Sequence, residues 1–317
     1  MRLCSKVLVG ILAIAAIIAI IAGLFVGVRR HIGNSNIDPA TLTCGGKKGV
    51  VYDYFFQFCP AVTMTNSSWW LNFDAGVDYS CSDPEVLARH QPMVFGTDRI
   101  RSSYAAITAL PEYAKPSFLL TFNEPNYAHL ANDISSNIVD PATAASLWPQ
   151  LLELFPPLGI QLVAPSPINC AGDVNCRNVG TAAGWLTAFQ EALDGNPATR
   201  GAWETVHALS YHTYATDFDT IVNETTSLHQ QFSKPLWITE IASGADSTAA
   251  ANLALMQRFV PWANSQPWIE RYFWNQATPA QVKDPNIQNS YLVNRSVTGL
   301  GNGSLTALGQ TYRSFPC

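Results

Sequence analysis

Residues 118–126 read FLLTFNEPN, an apolar, β-favouring run that stops at Asn123-Glu124-Pro125. Pro125 cannot donate to a strand ladder and biases the residue before it toward extended backbone, so a strand should end here with a carboxylate at its tip. Strict alternation of strand faces places Phe118, Leu120, Phe122 and Glu124 on one side. Residues 234–242, KPLWITEIA, repeat the pattern, with Leu236, Ile238 and Glu240 sharing a face. A single strand-end acid is most simply a solvated side chain. Two apolar strands, each delivering one Glu at its C-terminal end, are what a two-carboxylate site on a parallel barrel needs.

Working outward, the chain from Gly49 alternates short apolar runs with loops or amphipathic stretches. Eight runs read as strands: GVVYDY from Gly49, SWWLNF from Ser68, QPMVFG from Gln91 and FLLTFNEP from Phe118, then QLVAPSP from Gln161, HALSYHTY from His207, PLWITEI from Pro235 and ERYFWNQA from Glu270. Continuous apolar runs of this kind suit parallel strands covered on both faces. Between them, Asp140-Pro141 starts a helix whose stripe is Ala144, Trp148, Leu151, Leu152 and Phe155. Trp185, Phe189 and Leu193 form a second stripe, and Phe218, Ile221, Val222, Thr225, Leu228 and Phe232 a third. Ser247 is placed to cap a helix carrying Leu253, Met256 and Val260, while the stretch around Cys59 and Pro60 reads as a loop.

Strand and helix in eightfold alternation make a (β/α)8 TIM barrel, with Glu124 closing strand four and Glu240 closing strand seven. The competing doubly wound sheet announces itself with a glycine-rich first turn, which Phe55-Phe56-Gln57 does not supply. The 317 residues hold one such barrel, for which about 250 suffice. With 48% hydrophobic residues the core can be large, and a net charge of -5 without a basic run excludes nucleic acid as a partner. The six His are scattered with no HExxH, and no GxSxG elbow or P-loop occurs, so neither a metal nor another cofactor is expected.

The first residues stand apart. Residues 7–28 contain no charged or strongly polar side chain. At about 1.5 Å per residue they span about 33 Å, enough to cross a bilayer and longer than a cleaved signal's apolar core of about 7–15 residues. The expected layout is a cytosolic tail at 1–6, a transmembrane signal-anchor at 7–28, a linker at 29–44 and the catalytic barrel at 45–317. That makes a single-pass type II protein with its barrel outside and the lipid bilayer as a partner; secretion after cleavage is the alternative. Beyond the anchor lie six cysteines, Cys44, Cys59, Cys81, Cys170, Cys176 and Cys317, an even number suited to three disulfides in an oxidising compartment. Cys170 and Cys176 can close one short loop, and the other four allow three pairings. Zinc is the competing reading, but its ligand spacings are missing. Sequons at Asn66, Asn223, Asn294 and Asn302 place the barrel on the same, glycosylated side.

Acids ending strands four and seven, the first within Asn-Glu-Pro, resemble the retaining glycosidases of clan A. The stretches KKGVVYDY, SSWWLNF, QPMVFG, FLLTFNEPN, LVAPSP, LSYHTY, PLWITEIA and ERYFWNQA, closed by LTALGQTYRSF, are similar in order and spacing to glycoside hydrolase family 128, which acts on β-1,3-glucan. They cover residues 47 to 315. The resemblance implies Glu124 as acid/base, Glu240 as nucleophile and Asn123 as the partner of the sugar 2-hydroxyl. An ionised Glu240 nearby would raise the pKa of Glu124 and keep it protonated. The chain departs from the family pattern at Thr121, Asn126, the Trp69–Phe73 stretch and Phe95, positions that bear on the sugar subsites.

Sugar rings stack their C–H faces on aromatics, so Trp274, Tyr214, Trp70 and Phe95, all late in strands, are candidate substrate contacts. Asn72 in the second strand and His212 in the sixth join them through the resemblance. The reading is a monomeric retaining β-1,3-glucanase whose partner is β-glucan. The alternatives are another clan A β-glycanase or a non-catalytic cell-surface glucan-binding protein.

Overall fold

All eight sequence-read strands form, each beginning within two residues of its expected place. The computed structural model describes residues 46–52, 60–77, 83–128, 137–244, 247–278, 289–294 and 303–317. The chain divides into two units, Met1–Asp38 and Pro39–Cys317, and every described residue belongs to the second. The proposed anchor therefore lies outside the described residues, among which no helix is long and apolar enough to cross a membrane.

Strands β1 (Lys48–Val51), β2 (Trp69–Leu71), β3 (Met93–Val94), β4 (Phe118–Asn123), β5 (Gln161–Ser166), β6 (Val206–Thr213), β7 (Leu236–Ile241) and β8 (Ile269–Trp274) alternate with helices. These are α1 (Pro60–Met64), α2 (Pro84–Leu87), α3 (Ile100–Ala109), α4 (Pro141–Leu154), α5 (Ala182–Gly195), α6 (Phe218–Phe232), α7 (Ala249–Ser265) and α8 (Ala307–Ser314). The strands are all parallel in the order β2-β1-β8-β7-β6-β5-β4-β3. Between β2 and β3 the wall closes through a single Trp70–His90 bridge and through the Met93 N–H donating to the Asp74 carbonyl at 3.0 Å. The result is the expected eight-stranded α/β barrel.

One residue from each strand fills the barrel: Val51, Leu71, Met93, Leu120, Val163, Ala208, Trp237 and Phe273. Gly49 is required beside this layer, because a Cβ there would come within 2.6 Å of the Phe273 ring. At the N-terminal end of the strands Arg271 plugs the barrel. Its guanidinium lies 3.5 Å from the Trp69 ring centre, 4.2 Å from Trp237 and 4.8 Å from Phe118, and it donates to Gln91 Oε1. Cation–π contact with three rings offsets part of the cost of burying this charge. Lys48 at the start of β1 is fully buried, donating to the carbonyls of Tyr312 (3.0 Å) and Phe315 (2.7 Å), and so closes the C-terminal end of α8.

Helix starts follow local chemistry. Asp140, Asp217 and Thr181 cap α4, α6 and α5 by accepting from Thr143, Thr220 and Gly184 N–H groups. Two details differ from the sequence reading. Residues 60–64 form a short helix rather than a loop, since Pro60 supplies a pre-set first-turn φ and Ala61 and Val62 bury against the barrel. The cap of α7 is Thr248 rather than Ser247, whose hydroxyl instead donates to the Ser243 carbonyl.

Arg271→Ala removes one partner from a buried cation network and leaves a void. Its expected cost is about 3–5 kcal/mol, read as a lowered midpoint in urea unfolding with the slope unchanged.

Candidate active site

Strict strand alternation does not survive to the ends of β4 and β7. Leu120 faces the barrel interior, yet Phe122 packs on the helix side with Leu119. The β4–β5 register shifts twice, and Phe122 and Glu124 take left-handed φ values of 35° and 38°. Side chains with a Cβ adopt that region at a cost, which is tolerated where a site needs a residue aimed. On β7, Leu236 and Ile238 face the helices, and alternation would send Glu240 after them. A register shift between Tyr211/His212 and their β7 partners sets Glu240 opposite His212 and turns its carboxylate into the mouth. The shared faces expected from sequence are thus corrected in both strands, while the acids still arrive where they were expected.

The turned strand end of β4 is held firmly. Glu124 N–H donates to the Ser166 carbonyl at 3.0 Å and Asn123 N–H to the Phe95 carbonyl at 2.9 Å. Asn126 spans to the β5 loop, donating to the carbonyls of Ile168 (2.7 Å) and Val179 (2.9 Å) and accepting from Ile168 N–H (3.0 Å). Below the acids, Ser166, Ser210 and Thr239 form a hydroxyl layer, with Ser166 and Ser210 oxygens 2.6 Å apart and Thr239 donating to Ser166 at 3.3 Å. This layer separates the charged mouth from the apolar filling.

Glu124 and Glu240 are 3% and 4% exposed, and His212 is wholly buried between them. His212 Nδ1 lies 2.8 Å from Glu124 Oε1 and 3.3 Å from Glu240 Oε1. An oxygen of each acid and the imidazole nitrogen all fall within 4.8 Å of one another. Tyr214 donates its hydroxyl to Glu240 Oε2, and Asn275 Nδ2 donates to that same oxygen at 2.8 Å and to the Tyr214 oxygen at 2.6 Å. Burial, then the negative charges of Glu240 and Glu124, push the Tyr214 phenol well above its ordinary pKa, so it remains a donor. Glu124, His212 and Glu240 are also the one set among the described residues with the composition and spacing to hold a metal ion.

The family model for the glycosyl hydrolase catalytic core matches residues 51–312. The chain belongs to that glycosyl hydrolase family. Solved structures with the same fold include a family 128 subgroup II endo-β-1,3-glucanase from Sorangium cellulosum, with 24% identity over 84% of this chain and 98% of that one, at a TM-score of 0.66. A subgroup VI exo-β-1,3-glucanase from Aureobasidium namibiae has 20% identity over 85% and 96%, at 0.62. A variant of the subgroup I endo-β-1,3-glucanase from Amycolatopsis mediterranei, in complex with laminarihexaose, has 22% identity over 85% and 99%, at 0.60. No curated protein sequence matches the chain.

Around this glycosyl hydrolase centre the other sequence-read residues divide. Asn123 is buried beside Glu124 with its Oδ1 lacking a hydrogen-bond partner. Phe95 lines a cavity of about 260 Å³ at the β2–β3 seam with Phe73, Asp74, Met93, Arg99 and Ser103. Trp274 and Trp70 do not reach the mouth. Both pack in the layer between strands and helices, their indole N–H groups donating to the Ser290 and Val86 carbonyls. Asn72 is buried and occupied, accepting from Asp74 N–H and lying 2.9 Å from His90 Nε2 while its amide donates to Gly76. It shapes the loop after β2.

Cys170 and Cys176 are disulfide-bonded, and Cys317 is bonded to a cysteine outside the described residues. Cys44, Cys59, Cys81 and Asn302 lie outside them too. Asn223 and Asn294 are exposed and Asn66 is half-buried.

Asn275 escaped the sequence reading, because an Asn after a strand is ordinarily a turn residue. Its direct hydrogen bond to Glu240 makes a test. Asn275→Ala should lower turnover about 10²-fold, as loss of one preorganised donor does, with the unfolding midpoint of the variant close to that of the parent.

Proposed function

We propose that the chain is a retaining β-1,3-glucan hydrolase in which Glu240 is the nucleophile and Glu124 the acid/base. The observation that carries this reading is the closeness of the two carboxylates, whose nearest oxygens lie within 4.8 Å. Retaining pairs stand about 5–5.5 Å apart and inverting pairs about 6.5–9.5 Å, the difference being room for a water. Glu240 attacks the anomeric carbon while Glu124 gives its proton to the departing glycosidic oxygen. Glu124 then takes a proton from water, whose oxygen breaks the bond between the sugar and Glu240.

The surroundings suit those roles. Two like charges at this separation favour keeping one proton on the pair. Tyr214 and Asn275 both hold Glu240 Oε2, stabilising that carboxylate as the ionised member and leaving Glu124 to carry the proton. His212 keeps the first oxygens of both acids in line. The unpartnered Asn123 Oδ1 suits a sugar 2-hydroxyl beside the acid. β-1,3-Glucan is favoured over other β-linked chains because the Amycolatopsis mediterranei enzyme of the same fold is complexed with laminarihexaose, laminaritriose or laminaripentaose.

Laminarin, assayed beside mannan and β-1,4-glucan for new reducing ends, should be the preferred substrate. Glu240→Gln should abolish hydrolysis, and Glu124→Gln should cripple it on laminarin while sparing the first step on aryl glycosides with good leaving groups. Asn123→Ala should lower kcat more than it raises KM. Proton NMR during hydrolysis should show the β-anomer first; prompt α-anomer would mean inversion and remove the nucleophile role from Glu240.

The site of action follows from the apolar N-terminus. We infer that residues 7–28 anchor the barrel at the outer face of a membrane, supported by the Cys170–Cys176 disulfide and by the exposed sequons at Asn223 and Asn294. The expressed chain should sediment with membranes, keep its N-terminus and lose mass on deglycosylation. A soluble product beginning near residue 30 would instead make it secreted.

A further inference from the structure

Beside the catalytic pair, on the β5–β6 side of the mouth, lies a second cavity of about 300 Å³ that the proposed bond cleavage does not use. Tyr214, whose hydroxyl holds Glu240, forms part of its wall, so the cavity adjoins the reacting centre. Its size is at the small end of ligand pockets, fitting one ring with its hydroxyls rather than a length of chain.

Glu224 is the unusual member of its lining. It sits on α6 next to the buried stripe of Ile221, Thr225 and Leu228, where a glutamate would ordinarily extend into solvent. Instead it is half-buried, accepting from Thr213 Oγ1 at 3.2 Å and from the Asn169 side chain. Burial pushes its carboxyl above the ordinary range, so the site spends free energy to keep an acid there. A carboxylate accepts about four hydrogen bonds, and these two leave capacity toward the cavity.

Asp173 also lines the cavity, in the loop closed by the Cys170–Cys176 disulfide, and is held by the Tyr127 hydroxyl at 3.1 Å and Asn175 N–H at 2.8 Å. Among the described residues no Lys, Arg or His lines the cavity. Acceptor-rich walls without a cation call for a neutral ligand with several O–H donors and reject an anionic one.

We propose that this cavity is a sugar subsite contiguous with the catalytic centre, where Glu224 and Asp173 accept hydroxyl hydrogen bonds from one neutral hexose unit of the bound chain. This rests on the glucan-hydrolase reading. It adds a source of chain-length preference, because only an oligosaccharide long enough to fill the cavity gains those contacts. It also assigns a purpose to the disulfide loop, which fixes the wall bearing Asp173.

The test is calorimetric titration of laminarihexaose into the full-length chain carrying Glu240→Gln, with and without Glu224→Gln. Loss of a hydrogen bond to a charged group is expected to weaken binding about tenfold or more. Asp173→Asn, an isosteric change at an exposed position, should weaken it in the same direction. Hexaose bound equally well by all three proteins would overturn the subsite, even if the parent hydrolyses laminarin. If both substitutions weaken binding but the chain with Glu240 intact releases no reducing ends from laminarin, the subsite stands and the hydrolytic reading falls. If the parent binds no hexaose, both fall.

Discussion

Two carboxylates held within 4.8 Å of each other in a nearly dry pocket govern the mouth of this barrel. At such range their repulsion is strong wherever water is scarce, and side chains supplying protons must offset it. The arrangement is asymmetric. Glu240 Oε2 receives two donors, from Tyr214 and Asn275, while His212 Nδ1 faces one oxygen of each acid. That asymmetry suits the roles proposed for the two acids, Glu240 as the anion and Glu124 as the proton carrier.

Cation and anion are segregated along the barrel axis. Arg271 and its three rings occupy the N-terminal end, and the acids the C-terminal end. Between them lie the eight apolar fillers and the Ser166–Ser210–Thr239 layer. Changes at the bottom act on stability, and changes at the top on chemistry. This is the usual division for the fold, achieved here by particular residues.

Strand positions were legible in the sequence because parallel strands buried on both faces read as unbroken apolar runs, and Pro125 marked one end. The two acids were legible as strand-end carboxylates. Which face each strand presented was not, since alternation assumes a regular ladder and both functional strands carry register shifts where they deliver their acids. Trp70 and Trp274 show a second limit: tryptophan is as useful in a core as in a sugar cleft, and position late in a strand does not separate the two. Tyr214 was singled out for its ring, yet its hydroxyl is what touches Glu240. Asn275 carried no local signal, because its role exists only once β8 lies beside β7 and Tyr214 has come across from β6. Glu224 was hidden by its neighbours, an acid on the flank of an amphipathic helix.

The seam between β2 and β3 has a mechanical consequence. Every other neighbouring pair of strands is laced by a ladder, whereas here a bridge at Trp70–His90 and one loop hydrogen bond close the wall. Breathing of the barrel concentrates where the lacing is thinnest, and the cavity between Phe73 and Phe95 opens at that line. The strands bearing the acids, β4 and β7, are laced on both sides. Compliance and the two glutamates are therefore assigned to different sectors of one cylinder.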